Sequence, residues 1–259
     1  MEPVKQLDIA EDRPGSHKPS ATATPVQGQV LERALASIEV LGGLSAPALE
    51  RLARLCVWRS YGSGQQVISR ESKDRQVCFI VRGKVRVSVY SAGGREVAFR
   101  DVGAGKCIGE ISAIDGLPRS ANVEAIEESM IAALPPQVFW KLLETEPTVM
   151  AKVVRLLTTT IRSLSDRLFE LSTLGIQNRV HAEILRLAKE AGVRDGVATI
   201  DPAPRHVDIA SRISTNREQV TKELSAMARQ GLVDRREHAL VVPDVARLER
   251  IVAQVLRST

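Results

Sequence analysis

A run of apolar residues between Pro147 and Leu174 constrains the fold of this chain more than any other feature. The spacing alternates between four and three positions over three heptads, with mostly polar residues between, at Met150, Val154, Leu157, Ile161, Leu164, Leu168 and Leu171. Such a stripe is the pattern of a coiled-coil seam. It predicts a long helix over residues 147–174 that pairs with a second copy of the chain. The alternative is a helix that lies on its own domain.

The segment before this helix has the pattern of antiparallel β-structure. Short β-branched runs are separated by glycine-containing turns, and Val85, Val87 and Val89 alternate with polar residues. Many short strands at this spacing are typical of a barrel or a double-sheet roll. We therefore expect a β-roll domain over residues 28–146. Residues 1–27 are rich in Pro, Ser, Ala and Thr and are predicted to form a flexible tail.

The cysteine content argues against a metal or iron–sulfur centre. Cys56, Cys78 and Cys107 are widely spaced, and no CxxC or Cys/His cluster is present. Such residues are typically buried thiols of a reducing compartment. The sequence also has neither an apolar run long enough for a membrane span nor a signal-peptide pattern at its start. A cytoplasmic protein without a membrane partner is expected.

The segment 206–228 predicts two helices joined by a short turn. Six apolar positions have the spacing that packs two such helices together: Ile209, Ala210, Ile213, Val220, Leu224 and Met227. Thr215 or Asn216 can cap the second helix, and Thr215 with Glu218 resembles a capping box. Ser214 stands where such turns usually have glycine, at a cost of up to about 1 kcal/mol if its backbone is left-handed.

The second of these helices carries the candidate DNA-binding residues near its start. Arg217, Glu218, Thr221 and Lys222 are predicted to face outward, with Asn216 just before them. A helix-turn-helix inserts this part of its second helix into the major groove, where arginine can bind guanine and glutamate can accept from cytosine. The alternative is an ordinary solvated helix face.

Charge and the following hairpin fit the same interpretation. The chain has 36 Lys and Arg against 31 Asp and Glu, a formal net charge of +5. This charge favours an anionic partner without requiring one. A hairpin at about residues 232–242 carries Arg235, Arg236 and His238 and is predicted to form a wing that contacts phosphates.

The most informative motif of the first domain has two parts, Gly109-Glu110-Ile111 and Pro118-Arg119-Ser120-Ala121. Arginine offers a planar fork of donors that fits phosphate oxygens. Glycine and alanine let a ligand approach the backbone closely. The glutamate can accept a hydrogen bond from a sugar hydroxyl.

This motif resembles the phosphate-binding cassette of cyclic-nucleotide-binding domains, in spacing and in residue type. Together with the long helix and the helix-turn-helix, the order of parts over about residues 30–245 resembles the CRP/FNR superfamily, most closely its cyclic-AMP-receptor branch. The resemblance implies an α+β fold: a β-roll (jelly-roll), a dimerisation helix and a winged helix-turn-helix over residues 175–259. It implies that Glu110 binds the ribose 2′-hydroxyl, and that Gly109, Ile111, Arg119, Ser120 and Ala121 surround the phosphate.

The resemblance further implies a homodimer that binds a pseudo-palindromic site in double-stranded DNA and responds to a cyclic nucleotide. RNA polymerase is an implied partner, through the loop Gly192–Pro204. A hydroxyl on the dimer helix is expected to read the base, but Leu164 stands at that position and cannot hydrogen-bond. Ser165, with Thr158 earlier on the helix, is the remaining candidate. We expect cAMP first and cGMP as a close second.

Two other classes of function stay open at this stage. A DNA-binding regulator that needs no ligand would have the same fold with a vestigial pocket. A nucleotide-regulated interaction module would lack DNA binding. An enzyme is disfavoured, because no nucleophile–base pair, metal set or nucleotide-hydrolysing loop is recognisable.

Overall fold

The computed structural model describes residues 33–94 and 96–258, and the predicted tail at 1–27 lies outside the described residues. The predicted fold class is confirmed: an N-terminal β-roll, a long helix and a C-terminal winged helix-turn-helix follow one another along the chain. Among the described residues, no helix has both the length and the apolar character needed to cross a bilayer.

The β-roll consists of two four-stranded antiparallel sheets, with strand orders β1-β8-β3-β6 and β2-β7-β4-β5. The apolar interior between the sheets includes Ile80, Ile108 and Ile131, which are at most 2% exposed. The strands are β1 (Val57–Tyr61), β2 (Gln66–Ile68), β3 (Val77–Arg82), β4 (Lys84–Tyr90), β5 (Glu96–Gly103), β6 (Cys107–Ile108), β7 (Asn122–Ala125) and β8 (Ser129–Leu134).

Helices pack against the outer face of the sheet β1-β8-β3-β6. They are a 3₁₀ turn (Glu39–Leu41), α1 (Ala46–Leu55), α2 (Glu110–Asp115), α3 (Pro136–Thr145) and the 27-residue α4 (Pro147–Thr173). A proline opens both α3 and α4, where its fixed φ suits the first helical turn and its missing N–H costs nothing. Val149 and Val153 of α4 are buried in the core of the roll.

The apolar stripe of α4 divides into two parts. Met150 and Leu157 pack partly against the core of the roll, as a helix lying on its own domain would. Most of the remaining stripe is uncovered within one chain. The exposed fractions are 49% for Val154, 62% for Ile161, 46% for Leu164, 67% for Leu168 and 41% for Leu171.

The C-terminal domain has its own core beneath a four-stranded sheet of order β11-β12-β10-β9. Val180, Ile209, Val220 and Leu224 lie in this core, at most 2% exposed. Its elements are α5 (Ile176–Ala191), β9 (Val193–Arg194), β10 (Val197–Ile200), α6 (His206–Arg212), α7 (Arg217–Arg229), β11 (Asp234–Arg236), β12 (Ala239–Val242) and α8 (Val245–Ser258).

Candidate functional site

The predicted pocket lies where β6 ends and α2 begins. Gly109 joins the two elements with φ of +80°. A Cβ at this position would lie 2.5 Å from Nη1 of Arg119 and 2.8 Å from the carbonyl oxygen of Gln76. Only glycine therefore permits both the left-handed backbone and the close approach of the chain to the guanidinium group.

Arg119 is 3% exposed and is held almost entirely by its own protein. Nη1 donates to Oγ of Ser112 at 2.8 Å and to the carbonyl oxygen of Gly109 at 3.2 Å. Nη2 donates to the carbonyl oxygen of Gln76 at 2.9 Å and to the carboxylate of Asp74. Nε is buried without a hydrogen-bond partner, so the guanidinium keeps one donor for a ligand.

Asp74 is the counter-ion of Arg119 and was missed by sequence reasoning. It lies 45 positions earlier in the chain, outside the recognised motif. Burial by itself would raise the pKa of Asp74, but the hydrogen bonds from Arg119 and Ser72 lower it below its ordinary value. An anionic ligand that binds Arg119 must therefore compete with a carboxylate that is ionised at neutral pH.

Glu110 is the second buried charged group of the pocket, at 2% exposure. Its Oε1 is buried and accepts no hydrogen bond, with Nη2 of Arg100 at 3.5 Å. Burial raises the pKa of Glu110, while the charges of Arg100 and Arg119 oppose this shift. The unpartnered oxygen is suited to accept a hydrogen bond from a hydroxyl group.

The predicted phosphate residues do come together around one cavity. The volume is about 50 Å³, well below the roughly 300 Å³ at the lower end of small-molecule sites. In this conformation the pocket is thus contracted around Arg119, and a nucleotide would have to widen it or extend beyond it. The lining includes Gly109, Glu110, Ile111, Arg119, Ser120 and Ala121, together with Arg100 and Ser112.

The predicted base-reading residues Ser165 and Thr158 lie on α4, and their role stays a prediction. Ser165 and Thr158 do not line the cavity within one chain, and both hydroxyls donate to backbone carbonyls of their own helix. Thr160 of α4 lies outside the cavity lining as well, but its Oγ1 accepts from Nη1 of the lining residue Arg100 at 3.0 Å. Neither Thr160 nor Arg100 was identified from the sequence.

A β-bulge places Arg100 at this position. Val87 pairs with Arg100 and Ser88 pairs with Ala98, so Phe99 is an extra residue in β5. A bulge locally increases the twist of its strand and redirects the neighbouring side chains. No local sequence signal specifies it.

The helix-turn-helix is formed as predicted, with one correction. Ser214 has φ of 53°, the left-handed conformation expected at a position usually held by glycine. Asn216 is the N-cap of α7, and its Oδ1 accepts from the amide of Gln219 at 2.9 Å. The predicted capping box of Thr215 and Glu218 is wrong, because α7 begins at Arg217 and Glu218 is then only its second residue.

The candidate DNA-binding residues Arg217, Glu218, Thr221 and Lys222 are exposed on α7. Behind them, His206 links the helix to the wing: its Nδ1 lies 2.7 Å from Oγ1 of Thr221, and Nη2 of Arg235 lies 2.9 Å from its Nε2. Since a guanidinium only donates, Nε2 must accept and Nδ1 must carry the proton. Burial and the charges of Arg235 and Arg217 lower the pKa of His206, which favours this neutral form.

A buried ion network joins the two domains. Asp101 of β5 accepts from Arg86 of β4, at 2.9 Å and 3.1 Å, and from Arg212 of α6. Nη1 of Arg86 also donates to Asp208 of α6 at 2.6 Å, and Nη1 of Arg212 donates to Glu183 of α5 at 2.9 Å. Burial by itself would raise the pKa of Asp101, but the two guanidinium groups lower it.

Between the two domains, beside this network, lies a larger cavity of about 640 Å³ lined by both domains. The first helix of the helix-turn-helix is therefore attached to the β-roll more by ion pairs than by continuous apolar packing.

Comparison with known protein families gives one match for the N-terminal domain and another for the C-terminal domain. A model of the cyclic nucleotide-binding domain matches residues 58–146, and a model of the Crp-like helix-turn-helix domain matches residues 178–251. The chain is 29% identical over 193 residues to the cyclic AMP receptor protein of Thermus thermophilus, covering 74% of this chain and 87% of the relative. It is 23% identical over 221 residues to the CRP-like cAMP-activated global transcriptional regulator of Mycobacterium tuberculosis, covering 85% and 99%.

Among solved structures, the chain is similar to the c-di-GMP responsive global regulator CLP of Xanthomonas campestris, with a TM-score of 0.67 and 17% identity. The similarity covers 77% of this chain and 99% of that one. At this level of identity it supports the fold.

Proposed function

Because the chain belongs to the CRP/FNR family of transcription regulators, we propose that it is a homodimeric DNA-binding regulator controlled by a purine 3′,5′-cyclic nucleotide. The observation that carries the ligand proposal is a pair of buried polar atoms in the pocket that have no hydrogen-bond partner. Nε of Arg119 is a donor and Oε1 of Glu110 is an acceptor. A cyclic nucleotide has a phosphate that matches the first and a ribose 2′-hydroxyl that matches the second.

The two similar cAMP-responsive regulators support this class of ligand. Their names describe a cyclic AMP receptor and a cAMP-activated regulator. The phosphate would lie against Arg119, Ser120 and the amide of Ala121, and the ribose against Glu110. The purine would then extend towards α4, since Arg100 of the pocket lining contacts Thr160 of that helix.

The uncovered stripe of α4 supports the homodimer. Ile161, Leu164 and Leu168 lie on one face of the helix and are 46% to 67% exposed. Burying a side chain of this size stabilises an association by roughly 1.5 to 3 kcal/mol. A second copy of α4 would supply the matching stripe, and two copies of α7 would contact half-sites about one DNA turn apart. RNA polymerase is the proposed protein partner on family grounds alone.

A calorimetric titration with cAMP and with cGMP tests the ligand proposal. Wild-type protein should bind at least one of them saturably, and Arg119→Ala should bind neither. Arg82→Ala is the matched control: Arg82 belongs to the same domain, and its ion pair with Glu128 is 62% and 73% exposed. Binding that survives Arg119→Ala would contradict the proposed pocket.

DNA binding is tested by selecting fragments from a random duplex library, with and without the nucleotide that binds. We expect two-fold symmetric sites that are enriched only in the presence of the nucleotide. Lys222→Ala should weaken binding and reduce its dependence on salt, because each phosphate contact releases counterions.

One observation favours a second candidate, a DNA-binding regulator that needs no ligand. Arg119 already has a counter-ion in Asp74, so the pocket can hold its buried charge without a bound anion. The selection experiment separates the candidates. Equal enrichment with and without nucleotide, unchanged by Arg119→Ala, would establish the ligand-independent regulator.

A further inference from the structure

The polar side chains of the pocket leave one group without a role in the proposed function. Arg119 and Ser120 are assigned to the phosphate, and Glu110 to the ribose. Oγ of Ser112 accepts from Arg119 and donates to the carbonyl oxygen of Gly109 at 3.3 Å. Among the described lining residues, Arg100 is the remaining polar side chain.

Arg100 lies on the part of the pocket where the base would be. Its Nη1 donates to Thr160 of α4, and its Nη2 lies 3.5 Å from Oε1 of Glu110. In a nucleotide, the base is bonded to the carbon next to the one that bears the 2′-hydroxyl. A ribose that donates this hydroxyl to Glu110 therefore brings its base close to Arg100.

The guanidinium group can turn towards that base at little cost. The Arg100 side chain is 33% exposed, and its contact with Glu110 is an ion-pair distance rather than a hydrogen bond. Its hydrogen bond with Thr160 is part-buried, and water that enters as the guanidinium turns away can donate to the hydroxyl of Thr160 instead.

Arginine distinguishes the two purines by its donors. It has five N–H groups and no acceptor. Guanine presents two acceptors, O6 and N7, on one edge, whereas adenine presents N7 beside the N6 amino group, which is a donor. An arginine that faces this edge can donate to both O6 and N7 of guanine. With adenine, one of its N–H groups would face the N6 amino group, which is itself a donor.

We propose that Arg100 is a specificity-determining residue that selects guanine, so that the effector of this regulator is cGMP rather than cAMP. This inference rests on the proposed function, because it assumes that a cyclic nucleotide occupies the pocket. It reverses the order of preference that the sequence alone suggests.

The first test uses the wild-type protein and four nucleotides in calorimetric titrations: cGMP, cAMP, cIMP and 7-deaza-cGMP. A bidentate arginine discriminates between bases by roughly 5- to 150-fold, so cGMP should bind at least about fivefold more tightly than cAMP. The inosine analogue keeps O6 and N7 and should bind within a few-fold of cGMP. The 7-deaza analogue lacks one acceptor and should bind more weakly. Equal or tighter binding of cAMP would overturn the inference.

The second test is Arg100→Gln, with Arg82→Gln as the matched control. Glutamine can donate to N7 and accept from the N6 amino group of adenine, so the preference should reverse towards cAMP. Arg82→Gln should leave it unchanged. A variant that loses affinity for both nucleotides equally would show that Arg100 binds the phosphate and not the base, which overturns the inference.

The same titrations distinguish a wrong role for Arg100 from a wrong proposed function. If wild-type protein binds none of the four nucleotides, the cyclic-nucleotide proposal itself is wrong. If it binds cAMP and cGMP alike, the proposed function stands and only the role of Arg100 is rejected.

Discussion

The substitution Asp101→Asn tests whether buried charge holds the DNA-binding domain against the β-roll. Asp101 lies between two guanidinium groups, with 13% of its side chain exposed against 9% for both Arg86 and Arg212. Asparagine keeps the shape of the side chain, removes its charge and turns one acceptor into a donor. Both arginines then lose a carboxylate that water cannot readily replace.

The expected cost follows from the partners that remain. Removing one member of a buried ion pair usually costs 3–5 kcal/mol, because the other charge stays buried and uncompensated. Here Arg86 keeps Asp208, and Arg212 keeps Glu183. The loss should therefore fall at the lower end, about 3 kcal/mol of unfolding free energy. The exposed pair of Arg82 and Glu128 is the control, and Glu128→Gln should cost less than about 1 kcal/mol.

Urea denaturation can follow the two domains separately. The two tryptophans, Trp58 and Trp140, both belong to the N-terminal domain, so their fluorescence reports that domain. Far-UV circular dichroism reports the helices of both domains. We expect Asp101→Asn to destabilise the protein and to separate the two transitions. A loss no larger than that of Glu128→Gln, with coincident transitions, would refute the idea that the network holds the domains together.

Three further predictions concern the pocket, acid stability and the dimer. Asp74→Asn removes the carboxylate that competes for Arg119, so nucleotide affinity measured by calorimetry should rise several-fold; unchanged or weaker binding would contradict this competition. The pKa values of Asp74, Asp101 and Asp208 are lowered in the folded protein. The ionised carboxylates therefore stabilise the fold fully above the ordinary carboxyl pKa of about 3.9. This stabilisation is lost as the pH falls through the lowered pKa values. Unfolding free energies measured at successively lower pH should show this loss, with a smaller slope in Asp101→Asn, and an equal slope would count against it. Leu168→Lys places a charge on the exposed stripe and should shift the mass measured by light scattering from dimer to monomer, whereas a persistent dimer would locate the interface elsewhere.

The sequence predicts those parts of the fold and site that are encoded by local spacing. The heptad stripe identifies α4, and the apolar positions of 206–228 identify two packed helices. Gly109 and Arg119 are ten positions apart in one short motif. Their contact in the pocket therefore depends only on the local segment that joins them, which contains α2. The left-handed backbone at Ser214 could also be anticipated, because the turn requires it.

The residues that sequence reasoning missed depend on contacts between distant segments. Asp74 reaches Arg119 across 45 positions, and Arg86 reaches Asp208 across 122. Alternation along β4 places Val85 inside the roll, which implies an exposed Arg86 on the opposite face. Arg86 is nevertheless 8% exposed, because α6 of the other domain covers it. No periodicity within one strand can indicate that a separate domain packs on its outer face.

Strand β5 brings the ligand site and the domain contact to consecutive residues. Adjacent side chains of a strand point to opposite faces, so Arg100 faces the pocket and Thr160, while Asp101 faces Arg86 and Arg212. A base that draws Arg100 away from Thr160 would shift the backbone next to Asp101, and Asp101 holds the DNA-binding domain through Arg212. The bulge at Phe99 lies just before these two residues and locally increases the twist of the strand, while Arg100 and Asp101 themselves stay paired with Val87 and Arg86 of β4. If a ligand binds as proposed, its effect on Arg100 would reach the DNA-binding domain through this strand, and the strength of the ion network at Asp101 would set how far that domain responds.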